Sequence, residues 1–283
     1  MAPVRGPAVP RRRLGAELRR LREDAGLLIE QVAEQLECST SKISRLETGK
    51  GIPKARDVRD MLAMYGVTDG KVRDRLLRWV RDGQQHGWWH GYSAVIDEKM
   101  EALVALEADA GSMRSYETTI IHGLLQTPDY MREVGKAVYA DSSPADLDLF
   151  VELRRHRQEV LFREEGALDL HLVMEETALY RPVGGPKVFR NQLEHLLKAV
   201  RRENVRIQIL PLSTGVHPAM GGSFALLSFP DDVDHGVVFA ESARGVVTLE
   251  HAKDVATYAH VFDEISRRAL DFDESVTFIA SVL

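Results

Sequence analysis

From Arg12 onward the apolar residues fall at helical spacing: Leu14, Leu18, Leu21 and then Ala25, with Gly26 as a stop. The same period predicts short helices over 29–36, 40–47, 54–65 and 69–82, the last with Val72, Leu76, Leu77 and Val80 on one side. A turn at 48–53 separates the third from the fourth, and Gly66 ends the fourth. Five short helices without a strand signal predict a compact all-α domain over 11–82. Residues 1–10, rich in Pro, Gly and Ala, read as a flexible N-terminal arm.

The pattern changes after residue 82. A polar, Gly-punctuated junction over 83–96 carries Trp88, Trp89 and Tyr92. Beyond it, helices are expected near 97–112, 128–140, 145–165, 187–203, 252–270 and 274–282. Thr127-Pro128 and Ser143-Pro144 each put a hydroxyl cap before a proline at the first helical position, and Asp146 completes a capping box. Strand-like runs at 168–174, 205–210, 224–229, 237–240 and 246–249 are separated by Gly, Pro and Asp turns. Residues 97–283 therefore read as an α+β domain, and the chain contains no repeat and no low-complexity tract.

Composition narrows the class. In 283 residues, 44% hydrophobic and 28% charged side chains are the balance of a soluble globular protein. No apolar run approaches a membrane span, and the start lacks the apolar stretch of a secretory signal. Cys38 is the only cysteine, which excludes an intramolecular disulfide and a Cys-rich metal cluster, so the expected setting is the cytoplasm. The net charge of −6 is unevenly divided: residues 1–82 carry 18 basic against 12 acidic residues, net +6, and the remainder is net −12. A basic head on an acidic partner domain implies that only the head faces a polyanion.

Residues 29–48 carry the strongest motif. A helix-turn-helix needs a small residue where its helices cross, supplied by Ala33, and apolar residues that hold them together, supplied by Val32, Leu36, Cys38, Ile43 and Leu46. On these residues the segment resembles the phage-repressor-like (XRE) helix-turn-helix family, whose Ser-x-Leu-Glu-x-Gly ending corresponds to Ser44-Arg45-Leu46-Glu47-Thr48-Gly49. It departs from that family at two places. Glu37 stands where the turn often has Gly, and must take a left-handed conformation or shift the turn. Leu28-Ile29 stand where a hydroxyl cap and often a Gln begin the first motif helix, and loss of the cap costs about 1 kcal/mol.

In this geometry the second motif helix enters the major groove with its N-terminal residues toward base edges. Its reading face comprises Ser39, Thr40, Ser41, Ser44 and Arg45, with Lys42 beside it. Arg45 is the best base reader, because its fork can bond a guanine edge bidentately. Lys42, Lys50, Lys54 and Arg56 suit phosphates, which fix register. Glu47 has the wrong sign for DNA, and the resemblance implies an inward pair with a helix-one arginine, Arg22. Arg11-Arg12-Arg13 would fit a minor-groove arm, although a solvated charge run is the commoner role.

Trp88, Trp89 and Tyr92 form either a ligand or partner pocket or, more commonly for aromatics at a junction, docked core. Together with Glu107, Tyr116-Glu117, Gly123-Leu124-Leu125-Gln126-Thr127-Pro128-Asp129-Tyr130 and Arg154-Arg155 with Gln158, they resemble the C-terminal domain of many actinobacterial XRE regulators. That domain is described as antitoxin-like and occurs in WhiJ-type developmental regulators. This chain has His122 where the family usually has Pro before Gly-Leu-Leu-Gln-Thr. The resemblance implies a small protein partner and assigns no chemistry.

Enzyme readings find little support. There is no His-Glu-x-x-His string. His171 with Glu175 alternates on an expected strand, and Asp231 to His235 lies in an expected turn. Ala110-Gly111 could serve self-cleavage, but it falls at a helix end where Gly is the usual stop. The expectation is a non-enzymatic, sequence-specific DNA-binding regulator, a repressor on family grounds, cytoplasmic and nucleoid-associated. It needs no cofactor or metal, and pairs as a homodimer on a palindromic operator in double-stranded DNA. Two alternatives remain: an antitoxin-like protein that sequesters a small protein and autoregulates, and a small-molecule-responsive receptor-regulator.

Overall fold

The computed structural model describes residues 6–85, 87–138, 143–230, 236–242 and 245–283. The chain divides between His90 and Gly91 into two compact units, within the stretch expected to be a junction.

The first unit is all helical: α1 (Ala8–Asp24), α2 (Ile29–Gln35), α3 (Thr40–Glu47), α4 (Ala55–Met64) and α5 (Gly70–Gly83). Each helix buries one stripe, and Leu14, Leu18, Val32, Ile43, Val58, Met61, Leu62, Leu76 and Val80 meet in one core. The helix α1 starts at Ala8, ahead of the expected start at Arg12, so residues 8–10 belong to a helix and not to an arm. Pro10 is tolerated because N–H groups in a first turn have no intrahelical acceptor. Val9 is buried, and Arg11 Nε donates to the Gly83 carbonyl at 2.5 Å, tying the start of α1 to the end of α5. Residues 1–5 of the expected arm lie outside the described residues.

The second unit holds α6 (Glu98–Asp109), β1 (Ser112–Glu117), α7 (Pro128–Val138), α8 (Pro144–Gln158), β2 (Asp169–Glu175), α9 (Gly185–Ala199), β3 (Val205–Leu210), β4 (Phe224–Ser228), β5 (Val237–Ser242), β6 (Gly245–Leu249), α10 (Ala252–Arg268) and α11 (Phe272–Ser281). The strands form one mixed sheet in the order β3-β2-β1-β4-β5-β6. β1, β2 and β3 run parallel, and β4, β5 and β6 add antiparallel neighbours. The chain is thus an all-α helix-turn-helix domain followed by an α+β domain.

The sequence expectation missed β1, running a helix through 112 instead. The helix ends at Asp109, and Ser112–Glu117 becomes a central strand with Met113 and Tyr116 buried. Its segment, Ser-Met-Arg-Ser-Tyr-Glu, has too few apolar residues to look like a buried strand. The hydroxyl-and-proline starts are present: Ser143 and Asp146 form a reciprocal capping box on α8.

Candidate nucleic-acid interface

The interface is built outward from a buried ion pair. Arg22, near the end of α1, donates from Nε and Nη2 to the two carboxylate oxygens of Glu47 at 2.6 and 3.0 Å, and from Nη1 to the Leu27 carbonyl at 2.8 Å. Arg22 is 7% exposed and Glu47 6%. The hydrogen bond to Glu47 raises the guanidinium pKa above its ordinary value, so the charge is held. This fork fixes the C-terminal end of α3 against α1. The Tyr65 hydroxyl is buried in the same unit, and desolvation pushes its pKa up, which keeps it neutral.

Two glycines let the backbones come this close. A Cβ at Gly15 would lie 2.5 Å from the Leu46 carbonyl oxygen, so α1 and the end of α3 meet backbone to backbone. Gly49, with φ +72°, ends α3, and a Cβ there would lie 2.8 Å from Arg12 Cα. Sequence reasoning assigned Gly15 no role, although a glycine inside a helical pattern is the signal for such a contact.

The motif's residues separate cleanly by depth. Val32, Ala33, Ile43 and Leu46 are buried, and Leu36 and Cys38 are partly buried against the same core. Glu37 in the turn has φ 50°, so of the two courses open to it, it takes the left-handed one. At the uncapped start of α2, Gln31 Oε1 accepts from Leu28 N–H at 2.8 Å, supplying the reciprocal half of a capping box without the hydroxyl half.

The face of α3 turned away from the core carries the candidate readers. Ser39 is its N-cap, its Oγ accepting from Lys42 N–H at 3.2 Å. Ser39, Thr40, Ser41, Ser44 and Arg45 are all exposed, as are Lys50, Lys54 and Arg56. Among the described residues, the Arg45 guanidinium and the Lys54 ammonium have no hydrogen-bond or ion-pair partner. On α1, by contrast, Arg19 and Arg20 are matched by Glu23, Glu17 and Asp24. Lys42 differs from its neighbours on α3. Its Nζ lies 2.6 Å from an Asp57 carboxylate oxygen, which ties α3 to α4, and this bond raises its pKa. Asp57 was not singled out from sequence.

Trp88, Trp89 and Tyr92 share one short 3-10 helix, Trp88–Tyr92, at the boundary of the two units. Trp88 and Trp89 lie in the first unit and Tyr92 in the second. Trp88 packs edge-on to Trp89 with 5.8 Å between centroids, and Trp89 is buried while Trp88 is partly exposed. The Tyr92 hydroxyl is bonded to Glu152 at 3.1 Å and His156 at 2.8 Å on α8.

In the second unit several of the singled-out polar residues are held by hydrogen bonds, and Arg157, Gln192, Gln208 and His217, which the sequence did not point to, supply many of the partners. Arg157 forks onto Glu107 at 3.0 and 2.8 Å, both buried. Gln126 donates to the Ile121 carbonyl and accepts from Arg154, and Gln158 donates to the Gln126 carbonyl. Thr127 N–H is bonded to Gln192, itself fully buried. His122 accepts from Leu124 N–H, capping the turn at 123–125, and burial drives its pKa down to about 3. His171 is bonded to Gln208 at 2.8 Å, and Glu175 receives the Tyr116 hydroxyl at 2.5 Å and His217 Nε2 at 3.0 Å. Ala110-Gly111 sits between α6 and β1. The acid–histidine stretch at 231–235 lies outside the described residues. Among the described residues no cluster of metal-ligating side chains occurs, and no helix is long and apolar enough to cross a membrane.

A recognition-type helix with an open polar and basic face, braced from behind by a buried fork, defines a DNA-binding regulator of the helix-turn-helix class. Residues 13–76 match a family model described as a helix-turn-helix domain. Residues 100–281 match one described as a domain of unknown function (DUF5753), and since this covers more than half of the chain, the protein belongs to that family. No curated protein and no solved structure matches the chain.

Proposed function

We propose that the protein is a sequence-specific transcriptional repressor of the XRE type that sets α3 in the major groove and acts as a homodimer on a palindromic operator. The observation that carries the reading is the open face of α3. Arg45 projects a guanidinium with no partner among the described residues from the exposed side of a helix whose other side is locked into the core. An unpaired fork at this position suits bidentate bonding to a guanine edge. Ser41, Ser44, Lys50 and Lys54 supply phosphate or base contacts around it, while Lys42 serves first to hold α4. The acidic second domain, net −12 beyond residue 82, is repelled by DNA and acts as the platform for dimerisation and for a small protein partner, in keeping with the antitoxin-like type.

Selection of bound fragments from random DNA, followed by affinity measurements on matched and mismatched sites, tests this. Arg45→Ala should cost about 1–3 kcal/mol on the best site and relax choice at one base pair. Lys54→Ala should weaken all sequences alike and flatten the salt slope by about one unit. Equal losses for Arg45→Ala on selected and random DNA would reduce Arg45 to a phosphate contact, and a selection that enriches no sequence overturns the reading.

A further inference from the structure

The two edges of the sheet in the second unit are treated differently by the chain that follows them. At the β3 edge, the outward groups of Ile209 are taken up: its N–H donates to Ser275 Oγ at 3.0 Å and its carbonyl accepts from Leu270 N–H at 2.9 Å. Ser275 is fully buried, so the start of α11 is folded against that edge as a cap. At the other edge, β6, no such cap exists among the described residues. β6 pairs with β5 in the register Val238↔Leu249, Ala240↔Val247 and Ser242↔Gly245. Two residues separate Ser242 from Gly245, which makes that pair the hydrogen-bonded close of the hairpin. Bonding alternates along an antiparallel ladder, so Val247 and Leu249 also bond inward to β5, and Val246 and Thr248 direct their N–H and C=O groups out of the sheet. No backbone hydrogen bond reaches those groups from any described residue.

Exposed edges ordinarily carry lysine, proline or an inward charge that prevents further pairing. β6 reads Gly-Val-Val-Thr-Leu, with none of these, and Val247 is 48% exposed. We propose that β6 is the dimerisation strand, pairing antiparallel with β6 of a second copy about a twofold axis through Val247 to give a continuous twelve-stranded sheet. The register is self-consistent: centring on Val247 sets Val246 of each copy against Thr248 of the other, and both are outward-bonding residues. The charge pattern selects the same occupant. Two copies that each carry net −12 beyond residue 82 approach most easily where the strand is neutral, and this strand opposes no like charges when it meets itself. The inference rests on the proposed role of the second domain as a dimerisation platform and supplies its surface.

The axis pair Val247–Val247 is a non-hydrogen-bonded antiparallel pair, whose Cα atoms lie about 4.5 Å apart, within disulfide range. In the full-length chain, Val247→Cys should form an intermolecular disulfide under mild oxidation without DNA. Neither the wild type, with Cys38 alone, nor Val216→Cys should do so, although Val216 is 81% exposed. Sedimentation should show Val247→Lys and Val247→Glu each dimerising about fivefold more weakly, because like charges meet on the axis. Their equimolar mixture should recover the wild-type association. A monomeric wild type, cross-linking no faster than at Val216, or a mixture no better than either variant alone overturns the proposal. These readouts need no DNA. Loss of cross-linking with sequence-specific binding intact rejects the β6 interface alone, and intact cross-linking without specific binding rejects the repressor reading alone.

Discussion

Replacing Glu47 by alanine isolates the device that aims the recognition helix. The substitution removes both acceptors of the Arg22 fork, at 2.6 and 3.0 Å, and leaves a guanidinium 7% exposed with the Leu27 carbonyl at 2.8 Å and the exposed Glu23 carboxylate at 3.5 Å as its remaining partners. Stranding one member of a buried pair costs about 3–5 kcal/mol, because the remaining charge is cut off from most solvent and an exposed carboxylate such as Glu23 replaces little of the lost fork. In a helical unit of this size each kcal/mol shifts the melting temperature by about 4–8 °C, so a fall of about 15 °C or more is expected in the transition of this unit. Amide hydrogen exchange of the full-length protein, resolved to α1 through α4, reads the same loss locally and separates it from the second unit. The double variant Arg22→Met with Glu47→Leu removes both charges and should lie within about 1–2 kcal/mol of the wild type. The single variants Arg22→Met and Glu47→Leu complete a cycle whose coupling should be large. Should Glu47→Ala cost less than about 1 kcal/mol, or the cycle show no coupling, the pair is solvated in solution and the bracing argument fails.

Other positions give independent tests. Gly15→Ala places a methyl 2.5 Å from the Leu46 carbonyl oxygen, and should destabilise the first unit by about 1–3 kcal/mol and weaken DNA binding on every sequence, as read by denaturation and by affinity. Glu37→Gly relieves a left-handed backbone at φ 50° and should stabilise that unit by about 1 kcal/mol in urea unfolding; a loss of stability would mean that the Glu37 side chain makes a contact worth more than the strain. His122 has a folded pKa of about 3 against an unfolded value near 6.5, so the unfolded chain binds the extra proton first and stability falls as pH drops below about 6.5. By pH 5 this amounts to about 2 kcal/mol, and a His122→Gln variant should show a correspondingly flatter pH–stability curve.

The helical head was legible in the sequence because each of its helices buries only one side, and a one-sided pattern survives without knowledge of the fold. Glu47 was legible through two signals together: its sign set it apart from the DNA-facing residues, the family resemblance implied an inward pair with Arg22, and the structure has that pair. Lys42 shows the limit of the same reasoning. Its charge and place beside the reading face pointed to phosphate, yet its ammonium sits 2.6 Å from Asp57, a carboxylate on a helix whose position no local spacing reveals. Gly15 was hidden differently, since an expected helix absorbed it, and only the crossing of α1 with the end of α3 gives it a purpose.

The second unit was harder to read because its central strand is organised by polar contacts from far along the chain. In β1, Ser115 donates to the Phe224 carbonyl, Tyr116 to Glu175, and Arg114 to Asp263 while lying over the Phe262 ring. Each partner comes from a different strand or helix, so a window of six residues contains none of the information that makes the segment a strand. The same fact bears on the acids and histidines that invite catalytic readings. Glu175 accepts from both Tyr116 and His217, His171 is matched to Gln208, and Glu107 is matched to Arg157. Side chains held in this way are costly to release, because each partner left behind is a buried or partly buried polar group. They therefore act on function through the scaffold they lock.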